Sequence, residues 1–179
     1  MDLSSLTPDQ ALKLAAVVGA TIACATDMTT GKIKNWLTFP MMVGGLVANT
    51  WFFGWSGLGW SIVGLITGIL VYLPLAVFGF VGMGDVKLLS GIGSVAGPGF
   101  MFLTLLYGSV AAIPHALVIQ WLNYGKNALQ MFATSFTSGS WKKKTIHDDN
   151  ATVRYHFYMG LSLWIGSLAA WYFPLNIRW

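Results

Sequence analysis

Residues 80–87 read Phe-Val-Gly-Met-Gly-Asp-Val-Lys, a glycine-framed aspartate, Asp85, set between two long apolar runs. The chain is sparing with acids: it has six, all Asp, and between residues 10 and 147 the only other one is Asp27. Asp27 closes the first apolar run in Ala25-Thr26-Asp27-Met28-Thr29-Thr30-Gly31-Lys32. Each acid has a plain structural reading. Asp85 can cap the start of a helix, where its charge suits the helix dipole, and Asp27 can open a turn. Whether the two also work as a pair depends on where the rest of the chain places them.

Composition sets the class. Of 179 residues, 55% are hydrophobic and 15% aromatic, and only 9% are charged, against about 25% in a soluble domain. Runs of about 20 apolar residues satisfy their own backbone as helices across a hydrocarbon core about 30 Å thick. The sequence therefore predicts an all-α, polytopic membrane bundle in a single domain, residues 1–179, with about six transmembrane helices. The apolar runs place them near 11–27, 36–54, 58–80, 85–97, 99–122 and 156–174. Gly97-Pro98-Gly99 supplies a tight turn. Glycines such as Gly64, Gly68, Gly91 and Gly93 suit close helix packing. The lone Cys24 excludes a disulfide framework and a cysteine metal cluster. Ala23-Cys24-Ala25 looks like a cleavage site, but Asp2 and Asp9 stand where a signal peptide wants positive charge, so the first run is expected to remain a span.

Basic residues orient the bundle. Lys32 and Lys34 follow the first span, Lys87 the third, and Lys126, Lys142, Lys143, Lys144 and Arg154 lie in the connection 123–155. The other side has Lys13 and Arg178. The positive-inside bias thus predicts both termini external and the basic connections cytoplasmic, with Trp51, Trp55, Trp60, Trp171 and Trp179 in an outer aromatic belt. The Lys142–Lys144 run is expected to anchor this side of the bundle, with binding of anionic lipid as the alternative. The net charge of +4 is too small and too dispersed to suggest nucleic acid. In this layout Asp27 ends one span and Asp85 begins another, so both arrive at the cytoplasmic face.

Ionisable side chains at membrane depth are costly and point to function. Two carboxyl groups held close in a low-dielectric site share a proton, and one can activate water while the other polarises a carbonyl. Gly82 and Gly84 would give the backbone freedom and let a substrate strand approach beside Asp85. Lys87 either holds charge near the pair or snorkels to the headgroups.

Gly82-Met83-Gly84-Asp85-Val86-Lys87 resembles the G-x-G-D-x-K motif of the type IV prepilin peptidases, a family of GxGD membrane aspartyl proteases. Asp27, followed by Lys32-Ile33-Lys34-Asn35-Trp36-Leu37-Thr38, is similar to that family's first motif, and the stretch 155–163 looks like its last span. Lys34 stands where the family usually has proline, while Asn35 is retained. The chain looks like the minimal members that accompany Tad/Flp-type pili, because it lacks the cysteine-bearing cytoplasmic region linked to methylation. The resemblance implies an aspartic-type endopeptidase in the inner (cytoplasmic) membrane, with Asp27 and Asp85 catalytic, Gly82 and Gly84 as active-site backbone, and Lys87 and Asn35 in support. The sequence carries no signal for a cofactor, and no residue is expected as a metal ligand. The substrate would be a prepilin, with a short basic leader and an apolar helix lying among the membrane lipids. Three other readings stay open, one of them a non-catalytic membrane scaffold in which neutral replacement of both aspartates is harmless. Presenilin-like GxGD proteases want a tyrosine before the first aspartate, where Thr26 stands. A small proton-coupled transporter or channel would use Asp27, Asp85 and His115, the last expected near the middle of the fifth span, half a bilayer from both acids.

Overall fold

The computed structural model describes residues 6–78, 81–124 and 159–174. Among them are four helices and no strand: α1 (Pro8–Thr30), α2 (Asn35–Val77), α3 (Met83–Tyr124) and α4 (Met159–Tyr172). Most of the expected basic connection 123–155 lies outside the described residues, as do the start of the last expected span, Arg178 and Trp179.

α1 starts earlier than the apolar run suggests because Thr7 and Gln10 form a capping box, with Pro8 in the first turn. It ends where Gly31 turns left-handed (φ 63°) and its N–H donates to the Asp27 carbonyl at 2.7 Å. Leu12, Ala16, Ala20, Ala23 and Asp27 are its buried seam, a helical spacing in which a carboxylate ends an otherwise apolar stripe.

α2 would be about 65 Å long if straight, roughly twice the hydrocarbon thickness. It is not straight. Gly54 leaves helical geometry at φ 64°, ψ −147°, a conformation open to glycine. Two side chains show that its limbs then lie side by side. Asn49, before the break, donates to the Ser94 carbonyl at 3.1 Å, and Ser61, after it, donates to the same oxygen at 2.6 Å. The second limb packs on α3 through small residues. Gly64 meets Gly93 backbone to backbone, so that a Cβ on either would collide with the other's carbonyl oxygen, and a Cβ on Gly68 would stand 2.7 Å from Ser90 Cα. This is the glycine packing expected of membrane helices.

α3 reverses in the same manner at Gly97 (φ 79°, ψ 169°), with Pro98 opening the second limb where the proline turn was expected. That limb lies against α4: a Cβ on Gly108 would be 3.1 Å from the Ser162 carbonyl oxygen, and Tyr107 donates to the Phe173 carbonyl at 3.0 Å. The bundle is apolar outside as well as inside. Val47, Val110 and Ile113 are each more than 60% exposed, and α1, α2 and α3 are long and apolar enough to cross a membrane. Trp51 and Trp55 flank the Gly54 break and are more than 80% exposed. This is a membrane protein.

Candidate active site

Asp27 sits in the last turn of α1 and is buried. Its Oδ2 accepts the main-chain N–H of Gly160, the second residue of α4, at 3.1 Å. A helix start carries N–H groups with no partner inside the helix, and an anion is a natural acceptor for them. The approach requires glycine, since a Cβ at position 160 would stand 2.9 Å from Asp27 Oδ2 and 3.1 Å from Asp27 Cβ.

Asp85 lies in the first turn of α3 and is buried as well. Its Oδ2 accepts the Gly82 N–H at 3.1 Å, while its own N–H donates to the Gly82 carbonyl at 3.0 Å. The carboxylate therefore caps its own helix, and this capping holds the side chain in one rotamer at the helix start. Gly84, next to Asp85, packs on Ile33 of the connection that follows Asp27, so the structure brings the two acids to one end of the bundle.

The glycines beside Asp85 act through space and not through backbone conformation. Neither Gly82 nor Gly84 has positive φ; among the described residues that conformation belongs to Gly31, Gly54 and Gly97. A Cβ on Gly82 would lie 3.0 Å from Asp85 Oδ2, and one on Gly84 would lie 3.1 Å from Ile33 Cβ. Gly84 thus brings the start of α3 against the short connection between α1 and α2. On the same side, Lys87 Nζ donates to Asn35 Oδ1 at 2.9 Å and stands 5.5 Å from the centre of the Phe39 ring. Lys87 pairs with neither acid. Its link to Asn35, the first residue of α2, joins the two motif-bearing stretches.

His115 is not half a bilayer from the pair. Its Nδ1 lies 3.4 Å from Ser162 Oγ, and Ser162 is two residues from the Gly160 that holds Asp27, a rise of about 3 Å. The reversal at Gly97 and the length of the second limb carry His115 back to the end of the bundle where α4 begins. A cavity of about 680 Å³ opens at the other end, lined by Asn49, Trp60, Gly97 and Pro98 among others, away from both carboxylates.

Sequence reasoning missed two participants. Gly160 lay inside the stretch compared with a last span, but nothing in one sequence says which carboxylate its N–H would meet. Tyr72 is 1% exposed and lies within reach of the Asp85 charge. The signal for it was present, since it continues the spacing of Gly64 and Gly68.

Fold and site together make this a helical membrane bundle with two buried carboxylates at one end, each tied to a helix-start N–H. The chain matches the type IV leader peptidase family over residues 14–117 and belongs to that family. With the family come peptidase activity and membrane-embedded helices. Asp27 and Asp85 both fall within the matched stretch, whereas Gly160 and α4 lie beyond it. No curated protein and no solved structure gave a significant match.

Proposed function

We propose that this chain is a membrane-embedded aspartic endopeptidase that removes the short basic leader of type IV-like prepilins at the cytoplasmic face of the inner membrane. Asp27 and Asp85 are the catalytic pair. One observation carries the reading: in a chain of the leader peptidase family, two buried carboxylates lie at one end of the bundle, where Gly84 beside Asp85 packs on Ile33 of the connection that follows Asp27.

Their chemistry follows from proximity. Two carboxyls in a low-dielectric site hold one proton between them. The ionised one takes a proton from a water as that water attacks the scissile carbonyl carbon. The protonated one donates to the carbonyl oxygen, and the tetrahedral intermediate then collapses as the departing amine is protonated. The Gly160 and Gly82 N–H groups hold the two carboxylates without occupying all their oxygens. This leaves lone pairs for water and substrate.

In the proposed topology the limbs on either side of Gly54 and Gly97 each cross the membrane, which makes six spans with both termini external. What supports it is the basic charge of the α1–α2 connection and of Lys87, with exposed tryptophans at both ends of the bundle, Trp36 and Trp121 at one and Trp51 and Trp55 at the other. The substrate helix lies in the bilayer beside the bundle and presents its leader to the pair. The proton-coupled transporter reading, with Asp27, Asp85 and His115, predicts a protein that leaves prepilins intact. The test is a cleavage assay with the purified protein, a prepilin substrate, and Asp27→Asn and Asp85→Asn as controls.

A further inference from the structure

The packing of the second limb of α2 on the first limb of α3 sets a register that the catalytic pair does not use. Gly64 lies on Gly93, and Gly68, one turn on, lies on Ser90 and Leu89. α2 runs toward the carboxylate end of the bundle while α3 runs away from it. A further turn along α2 therefore reaches Tyr72, and a further turn back along α3 reaches Asp85 and Val86. Ser61, Gly64, Gly68 and Tyr72 form one buried stripe on α2, and the first three meet Ser94, Gly93 and Ser90 of α3, so position 72 faces α3 as they do.

What stands there is out of keeping with the stripe. Its other members are small, and they bring the two main chains together; at the level of Asp85 the same face carries a large side chain that is 1% exposed and belongs to the core cluster with Val86, Leu88 and Leu89. Phenylalanine would fill that volume with no polar atom. The hydroxyl gives the same ring a polar tip, and tyrosines in apolar surroundings ordinarily direct that tip to a partner. Tyr72 makes no hydrogen bond to any other described residue, and the polar group that the register sets opposite it is the Asp85 carboxylate, whose charge reaches it.

We propose that Tyr72 is a positioning residue of the site: its hydroxyl donates to the Asp85 carboxylate when substrate is bound and fixes the orientation in which that carboxylate meets water and the scissile carbonyl. The inference rests on the aspartic peptidase reading above. It involves no covalent step. Gly82 holds one oxygen of Asp85 from its own helix, and Tyr72 steadies the carboxylate from the facing one.

The test uses the full-length protein in detergent with a purified prepilin, comparing wild type, Tyr72→Phe, Tyr72→Met and 3-fluorotyrosine incorporated at position 72. Rates are normalised to folded protein judged by thermal unfolding. Loss of a hydrogen bond to a charged group, together with a misplaced carboxylate, lowers kcat by about 10- to 100-fold in both Phe and Met variants. KM stays within about twofold, because the hydroxyl acts on the reacting group and not on the substrate helix. Fluorotyrosine keeps the hydroxyl and retains most of the rate. A purely structural ring would be served equally well by phenylalanine, so wild-type kcat in Tyr72→Phe overturns the proposal, as does a loss carried by KM alone. If only one of the two apolar variants folds, its kcat decides in the same way. Asp85→Asn in the same assay separates the two levels of argument. Cleavage by that variant overturns the aspartic mechanism itself, whereas a dead Asp85→Asn beside a fully active Tyr72→Phe overturns only the role of Tyr72.

Discussion

The main-chain N–H of Gly160 donates to Asp27 Oδ2 at 3.1 Å across 133 positions of sequence. The first turn of α4 is therefore the support on which the carboxylate of α1 rests. Gly160→Ala would set a methyl 2.9 Å from that oxygen, and either the carboxylate or the helix must move. A displacement of about 1 Å in a reacting group costs on the order of 100-fold in rate. We expect Gly160→Ala to lose at least about 10-fold in prepilin cleavage at wild-type abundance in the membrane, as read by immunoblot of precursor and mature pilin. Wild-type cleavage would show that the α4 contact does not position Asp27.

Gly84 tests the other carboxylate. Its would-be Cβ meets Ile33 Cβ at 3.1 Å, so a β-branched side chain is stiff where α3 must approach the α1–α2 connection. Gly84→Val should approach the phenotype of Asp85→Asn, and Gly84→Ala should fall between it and wild type. The readout is initial cleavage rate per folded protein. Equal rates for all three would remove the close approach from the account.

The apolar runs, the turn at Gly97-Pro98-Gly99 and the pair Asp27 and Asp85 were legible in the sequence because each rests on local chemistry: hydropathy, a conformation open to glycine, and the scarcity of acids. The start of α1 was missed by a few residues because the capping box Thr7-x-x-Gln10 precedes the apolar run and was not used. The depth of His115 was misjudged because it depends on how far α3 runs back after its break, which span counting cannot give. Gly160 on Asp27 is a tertiary contact, and the place of Tyr72 at the level of Asp85 follows from how α2 packs on α3. Gly160 and Asp27 are 133 positions apart, the pairing of Tyr72 with Asp85 depends on the register between two helices, and a glycine whose value is its missing Cβ looks like any other packing glycine.

Lys87 and Asn35 make an exposed hydrogen bond of 2.9 Å, a class of contact worth about 0.5–1.5 kcal/mol. Lys87→Met and Asn35→Ala should each lower cleavage by less than about 10-fold, and the double variant should add little to either single change. A double-mutant cycle on cleavage rate checks this. Full additivity would mean that the two side chains act separately.

Thiol labelling of intact cells tests the proposed topology in a Cys24→Ser background. Trp55→Cys, at a position 86% exposed beside the Gly54 break, should react with a membrane-impermeant reagent added outside. Lys32→Cys, exposed in the α1–α2 connection, should react only after the membrane is opened. The reverse pattern would place the carboxylate pair on the external face.

The central claim is that Asp27 and Asp85 act as one catalytic unit, and single-turnover cleavage of a prepilin by Asp27→Asn, Asp85→Asn and the double variant tests it most directly. Groups that act as a unit give strongly non-additive losses. Each single change should abolish cleavage while folded, inserted protein persists, and the double variant should be no worse than either. Robust cleavage by either single variant would contradict the claim.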